Sequence, residues 1–263
     1  MSRIAATFAR LRQEKRLGLI AYLTVGYPSL EQTPELVRTA AACGADLIEL
    51  GIPFSDPLAD GRTIQAASET ALRHGVTVGR ALESAAAARS LTDVPLLFMT
   101  YLNPILAYGL DSFCSEASRA GIDGLIVPDL PPREAGELRR SAADSGLGLV
   151  FFVAPTSNPK NLADACEAST AFVYCVALTG VTGARQALDQ AVLPLIAAVR
   201  AVTSLPVVVG FGISRAEHLD ALEGSADAAI VASALLDAIA QAPEEAASQL
   251  AGFLGPLRRQ SLR

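Results

Sequence analysis

Residues 45–65 read ADLIELGIPFSDPLADGRTIQ. An apolar run over 45–51 is closed by Pro, Asp and Gly punctuation, and a helical pattern follows from 63 to 88. The run is continuous rather than alternating, which predicts a strand buried on both faces, as in a parallel sheet. One residue inside it is out of character. Glu49 lies between Ile48 and Leu50, and an ionised Glu is almost never buried without a partner. Either it is paired with an Arg or a backbone N–H, or it is a general acid/base whose pKa the apolar surroundings raise.

The same strand–helix unit recurs in both directions. Apolar runs stand at 18–25, 94–101, 124–127, 147–154, 171–177, 206–210 and 228–232. Helical patterns follow the runs at 29–43, 63–88, 111–120, 133–145, 161–168, 188–202, 215–222 and 234–253. Eight such units in 263 residues predict an α/β fold, a (β/α)8 TIM barrel, with residues 1–263 forming a single domain. A doubly wound open sheet is the alternative, but no GxGxxG follows the first strand. Residues 2–16 read as an extra amphipathic N-terminal helix, placed to plug the barrel bottom.

Composition narrows the chemistry. With 51% hydrophobic and 18% charged residues, the chain is not a disordered one. A net charge of −6 argues against nucleic acid or an anionic membrane as partner. No apolar run reaches the roughly 18 residues of a membrane span, and the N-terminus MSRIAATFARLRQEKR is too charged for a signal peptide. The four cysteines show no CxxC spacing and read as reduced thiols of a cytoplasmic protein. Only two histidines, His74 and His218, and two lysines, Lys15 and Lys160, are present. Two distant histidines do not make a metal site, so none is expected. A Schiff base would need one of two lysines in polar segments. Carboxylates are left as the acid–base groups.

Barrel active sites lie at the C-terminal strand ends. There Glu49 is followed by a loop carrying Asp56 and Asp60. Asp56 reads as turn chemistry. Asp60 is placed to fold back over the mouth, giving two carboxylates on one cavity. Opposite them, the loop TGVTGAR (179–185), the turn GFGIS (210–214) and the turn VAS (231–233) offer backbone N–H groups and helix N-termini to a phosphate.

ELGIPFSDPLADGRTIQ, GIDGLIVPDLPP, ALTGVTGAR and VVVGFGIS together closely resemble the tryptophan synthase alpha chain family, over nearly the whole chain. The resemblance implies a carbon–carbon lyase that cleaves indole-3-glycerol phosphate to indole and glyceraldehyde 3-phosphate in tryptophan biosynthesis. It implies no cofactor in this chain, pyridoxal phosphate belonging to a beta chain that receives the indole in an alpha2-beta2 heterotetramer. Glu49 matches the proton-shuttling acid/base, and Asp60 the carboxylate that accepts the indole N–H. Tyr174 matches a tyrosine near Glu49, and Thr182 a loop threonine that orders with Asp60. Gly183, Gly212, Ala232 and Ser233 match phosphate-binding positions. Tyr22 and Phe211, at the first and seventh strand ends, complete the candidate substrate set. Pro53 and Asp56 match residues that meet the beta chain. Two other readings are a stand-alone lyase releasing free indole, and a non-catalytic activator of the beta chain, against which the intact carboxylates argue. Four positions depart from the family's usual pattern: Arg62, Ala232, Ala177 and Leu102. Arg62 is expected to depress the pKa of Asp60 or draw its loop outward. Ala232 keeps its N–H and serves a phosphate provided that its φ is negative.

Overall fold

The structure, a computed structural model, describes residues 1–176, 192–210 and 212–260. Eight parallel strands close into a barrel in sequence order, β1 pairing with β8. They are β1 (Gly18–Thr24), β2 (Leu47–Gly51), β3 (Leu96–Met99), β4 (Gly124–Ile126), β5 (Gly148–Val153), β6 (Phe172–Val176), β7 (Val207–Gly210) and β8 (Ala228–Val231). The predicted (β/α)8 architecture is therefore the one observed.

Alternation along each strand sorts the core into two layers. Leu19, Ile48, Leu50, Phe98, Val173 and Val209 face the surrounding helices. Ile20, Leu47, Leu97, Val150, Phe172 and Val208 fill the barrel interior. Being buried on both faces is what makes these strands continuous apolar runs.

Helix α1 (Arg3–Glu14) closes the bottom. Ser2 caps it, accepting the Ala5 N–H at 3.2 Å, and Ile4, Phe8 and Leu11 join the interior cluster, Phe8 lying 5.9 Å from the Phe172 ring. The polar side of the same helix reaches a recurrent device. Each even-numbered strand is preceded by a side chain that accepts an N–H from the preceding odd strand. Asp46 takes Leu19 N–H at 3.0 Å, Asp123 takes Leu96 N–H at 2.9 Å, Thr170 takes Leu149 N–H at 2.8 Å and Asp227 takes Val207 N–H at 2.8 Å. Helix α1 sends Arg10 to Asp46, Arg3 to Asp123 and Arg12 to Asp227.

Two predicted helices prove to be composite. The pattern over 63–88 divides into α2 (Arg62–Arg73) and α3 (Val78–Arg89). Ala-rich periodicity hid the break at His74–Gly75, and the second helix restarts where Thr77 accepts the Arg80 N–H at 3.3 Å. The pattern over 234–253 divides at Pro243 into α4 (Ser233–Gln241) and α5 (Ala246–Gln260), because Pro removes a helical N–H and is best placed in a first turn. A short helix α6 (Leu102–Tyr108) after β3 is additional to the expected set; Pro104 and Gly109 made that segment read as loop. The remaining helices keep the expected one-per-strand order.

Candidate functional site

Period two along β2 turns Glu49 inward, between the outward Ile48 and Leu50. It lies beside Tyr22 of β1 and Leu97 of β3 in the barrel register. The residue is 1% exposed, and Oε2 has no hydrogen-bond partner among the described residues. Burial, and then the negative charge of Asp60, push its pKa up to about 8. No Arg, Lys or His forms an ion pair with Glu49 among the described residues, so the Arg-paired alternative is not found there.

The second carboxylate comes from the loop after β2. A turn closed by Asp60 N–H to Pro57 C=O at 3.1 Å, and Gln65 Nε2 donating to Asp60 C=O at 2.9 Å, fix the Asp60 backbone. Oδ1 of Asp60 is buried without a partner among the described residues. Burial raises its pKa to about 6, while a hydrogen bond from Tyr101 acts in the opposite direction. The expected effect of Arg62 is not found. Arg62 is exposed at the start of α2, and Asp60 sits above the usual carboxylate range rather than below it.

Two phenols complete the mouth. Tyr22 lies across β2, where a Cβ on Gly51 would meet its hydroxyl at 2.0 Å. Tyr174 lies across β7, where a Cβ on Gly210 would meet its hydroxyl at 2.2 Å. These two glycines are places of close approach that any side chain would fill. Thr24 Oγ1 donates to the Tyr22 hydroxyl at 3.5 Å, and Phe152 packs on Tyr174 with ring centroids 4.6 Å apart. Burial raises both phenols well above their ordinary pKa, Asp60 and Glu49 adding to Tyr22, and Glu49, Tyr22 and Asp60 adding to Tyr174. Two carboxylates and two protonated phenols therefore feel one another at the barrel mouth.

Across the mouth, β7 leads into Gly212, which has φ +57, and the turn is held from behind by Ser214 N–H donating to His218 Nδ1 at 3.3 Å. At the end of β8, Ala232 has φ −125 and begins α4 with no side-chain cap; its negative φ carries no left-handed strain. The first N–H groups of α4, from Ser233 onward, have no intrahelical acceptor and carry the positive end of the helix dipole. Thr182, Gly183, Phe211 and Ala177 lie outside the described residues. In the loop after β2, Pro53 is buried and Asp56 exposed, with Ser55 donating to Asp56 at 2.6 Å. Leu58 beside them is 93% exposed.

The sequence pointed to Glu49, Asp60, Tyr22 and Tyr174, and these converge. It missed Tyr101, whose hydroxyl accepts the Ala59 N–H at 2.9 Å. It also missed the role of Asp129, which accepts the Leu102 N–H at 2.9 Å. Asp129 falls in the quoted GIDGLIVPDLPP, and its placement just after a strand end was the available signal. No group of three or more metal-ligating side chains is found among the described residues, and none of their helices is long and apolar enough to cross a membrane.

Comparison with known proteins places this geometry in context. The family model for the tryptophan synthase alpha chain matches residues 8–258. The tryptophan synthase alpha chain of Chloroflexus aggregans is 49% identical over 98% of this chain and 97% of its own. That of Chloroflexus aurantiacus is 50% identical over 93% and 92%. Among solved structures, a Mycobacterium tuberculosis tryptophan synthase chain superposes with a TM-score of 0.92 at 38% identity, covering 100% of this chain and 99% of that one. Tryptophan synthase subunit alpha of Legionella pneumophila gives 0.89 at 34% identity, covering 99% and 98%.

Proposed function

Because the chain belongs to the tryptophan synthase alpha chain family, we propose that the mouth of its barrel is the site where indole-3-glycerol phosphate is cleaved, with Glu49 and Asp60 as the catalytic residues. The activity itself is that of the family: a lyase reaction yielding indole and glyceraldehyde 3-phosphate, with indole passed to a beta subunit. The alpha chain needs no cofactor, pyridoxal phosphate belonging to the beta chain.

The observation that carries the site assignment is the unpaired, buried carboxyl of Glu49 beside a second carboxylate. With a pKa near 8, Glu49 begins protonated at neutral pH. It gives its proton to indole C3, and positive charge develops at the ring nitrogen. Asp60, ionised above about pH 6, accepts the ring N–H through the free Oδ1 and stabilises that charge. The Glu49 carboxylate then removes the proton from the hydroxyl on the carbon attached to C3. The carbon–carbon bond breaks, its electron pair restores the aromatic ring, and the aldehyde is formed. Glu49 ends protonated, ready for a second turnover.

Tyr22 and Tyr174 line the indole pocket, their rings apolar and their hydroxyls neutral. The phosphate lies against the backbone of Gly183, Gly212, Ala232 and Ser233; Thr182 acts with Asp60, and Phe211 belongs to the substrate set. Pro53 and Asp56 belong to the face that meets the beta chain in an alpha2-beta2 tetramer, a reading supported by the exposed Leu58 at the same crest. The protein works in the cytoplasm, and residues 1–263 act as a single domain.

Two measurements test this. Glu49→Gln removes the proton donor and is expected to lower indole formation by about 10²–10⁴-fold while binding of glycerol 3-phosphate is kept; near-normal turnover would sink the assignment. The rate is expected to follow a bell in pH, with limbs near 6 and 8 belonging to the coupled pair. A rate flat from pH 5 to 9 would contradict it.

A further inference from the structure

Tyr101 sits where β3 hands over to α6, and its surroundings are unusually specific for a residue outside both catalytic strands. Its backbone is pinned on one side by β3 and on the other by Asp129, which accepts the next residue's N–H at 2.9 Å. Its side chain is almost completely buried. Every partner of that side chain comes from the loop after β2. The Phe54 ring packs on its ring with centroids 5.4 Å apart. The Ala59 N–H donates to its oxygen at 2.9 Å. Its own proton goes to the Asp60 carboxyl. A phenol has one proton to donate and lone pairs to accept with, and here each is used. Oδ1 of Asp60 is buried and has no hydrogen-bond partner among the described residues, so the carboxylate's orientation rests on this phenol and on the Ala59 backbone beside it.

We propose that Tyr101 is a positioning residue for the cleavage reaction, fixing the catalytic loop at Phe54 and Ala59 and aiming Asp60 Oδ1 at the indole nitrogen. The proposal rests on the reading of Asp60 given above. Tyr101 touches no reacting atom; it acts through Asp60. A loop carboxylate has many rotamers, and an ångström of misplacement costs on the order of 100-fold in rate. The Tyr101 bond also favours the ionised form of Asp60, the form that stabilises a cationic ring.

The test is Tyr101→Phe in the full chain, with indole-3-glycerol phosphate as substrate. Phenylalanine keeps the ring and its contact with Phe54, so the fold and pocket shape persist. The expected result is a fall in kcat of about 10–100-fold, with KM within about threefold. The acid limb of the rate profile moves to higher pH, because Asp60 loses the hydrogen bond that eased its ionisation. A kcat within twofold of the parent, or a loss of rate with the acid limb unmoved, overturns the proposal. Asp60→Asn is measured in parallel. If it is inactive while Tyr101→Phe is normal, positioning fails and the assignment of Asp60 stands. If it is fully active, the assignment of Asp60 falls and the proposal with it.

Discussion

The two ends of this barrel treat buried carboxylates in opposite ways. At the bottom, Asp46 is buried with Arg16 bidentate at 2.7 Å, Arg10 at 2.9 Å and Leu19 N–H at 3.0 Å. Burial works to raise its pKa, but the Arg16 and Leu19 hydrogen bonds win and hold it below the ordinary value. At the top, Glu49 is as deeply buried and has no cation paired with it among the described residues; burial, and then the charge of Asp60, raise its pKa to about 8. The same group, in the same fold, is a fastener where its charge is matched and a proton reservoir where it is not.

The two ends also respond to pH with opposite sign. A carboxyl whose folded pKa is depressed stabilises the fold above its unfolded pKa, and loses that contribution as pH falls. Asp46 therefore supports the fold through the neutral range and fails in acid. A carboxyl whose folded pKa is raised contributes fully below its unfolded pKa, and that contribution is lost as pH rises through the folded pKa. The cost of Glu49 to stability thus grows from about pH 4.5 to 8 and stays in full above that, and the interval between is the one in which a protonated Glu49 is useful to chemistry.

The contrast breaks most visibly at Asp46. Asp46→Ala strips the buried Arg16 of its bidentate partner and leaves it only the partly exposed Glu14 at 2.5 Å, and urea unfolding at pH 7 is expected to show a loss of about 3 kcal/mol. A loss under 1 kcal/mol would mean that the bottom carboxylates are not fasteners. The next largest effect has the opposite sign. Each pKa unit is worth about 1.4 kcal/mol, and the amide's own burial takes part of that back. Glu49→Gln is therefore expected to gain on the order of 2–3 kcal/mol at pH 8, with the gain vanishing by pH 4. A destabilised variant at pH 8 would show that Glu49 is satisfied by an unrecognised partner. The smallest effect sharpens the boundary between buried and exposed pairs. Arg3 bonds Asp123 at 3.0 Å but is half exposed, so Arg3→Ala is expected to cost under about 1 kcal/mol. Thermal unfolding at two salt concentrations measures it, and a salt-independent loss of several kcal/mol would place Arg3 with the buried set.

How legible this was in the sequence differs between the ends for a physical reason. Glu49 stood out because a strand buried on both faces makes any charge conspicuous, and the eight apolar runs were legible on the same ground. Asp60 was visible as a second carboxylate at the same strand end. Tyr101 was not, because its partners lie 42 residues upstream and a tyrosine after a strand looks like ordinary core. Asp46, Asp123 and Asp227 were passed over for a related reason. An Asp ahead of a strand reads as turn chemistry, and the Arg residues that match it come from distant segments, helix α1 with Arg3, Arg10 and Arg12 among them. The merged helices show the remaining limit: periodicity reports an amphipathic face but not the single residue where the axis changes direction.

The side chains at the N-terminal ends of the even strands have one more implication. Each ties its strand to the odd strand before it, so β1–β2, β3–β4, β5–β6 and β7–β8 are clasped in pairs, and no such side-chain clasp joins the strand starts across the intervening seams among the described residues. In hydrogen-bond terms the ring has a fourfold rhythm that the amino-acid sequence no longer displays, three clasps being Asp and one Thr. A circular permutation that opens the chain at a seam, between 90 and 94 or between 145 and 147, leaves every clasp within a continuous segment. One that opens it inside a pair separates the two halves of a clasp. The ring is thus most tolerant of new ends at every second connection.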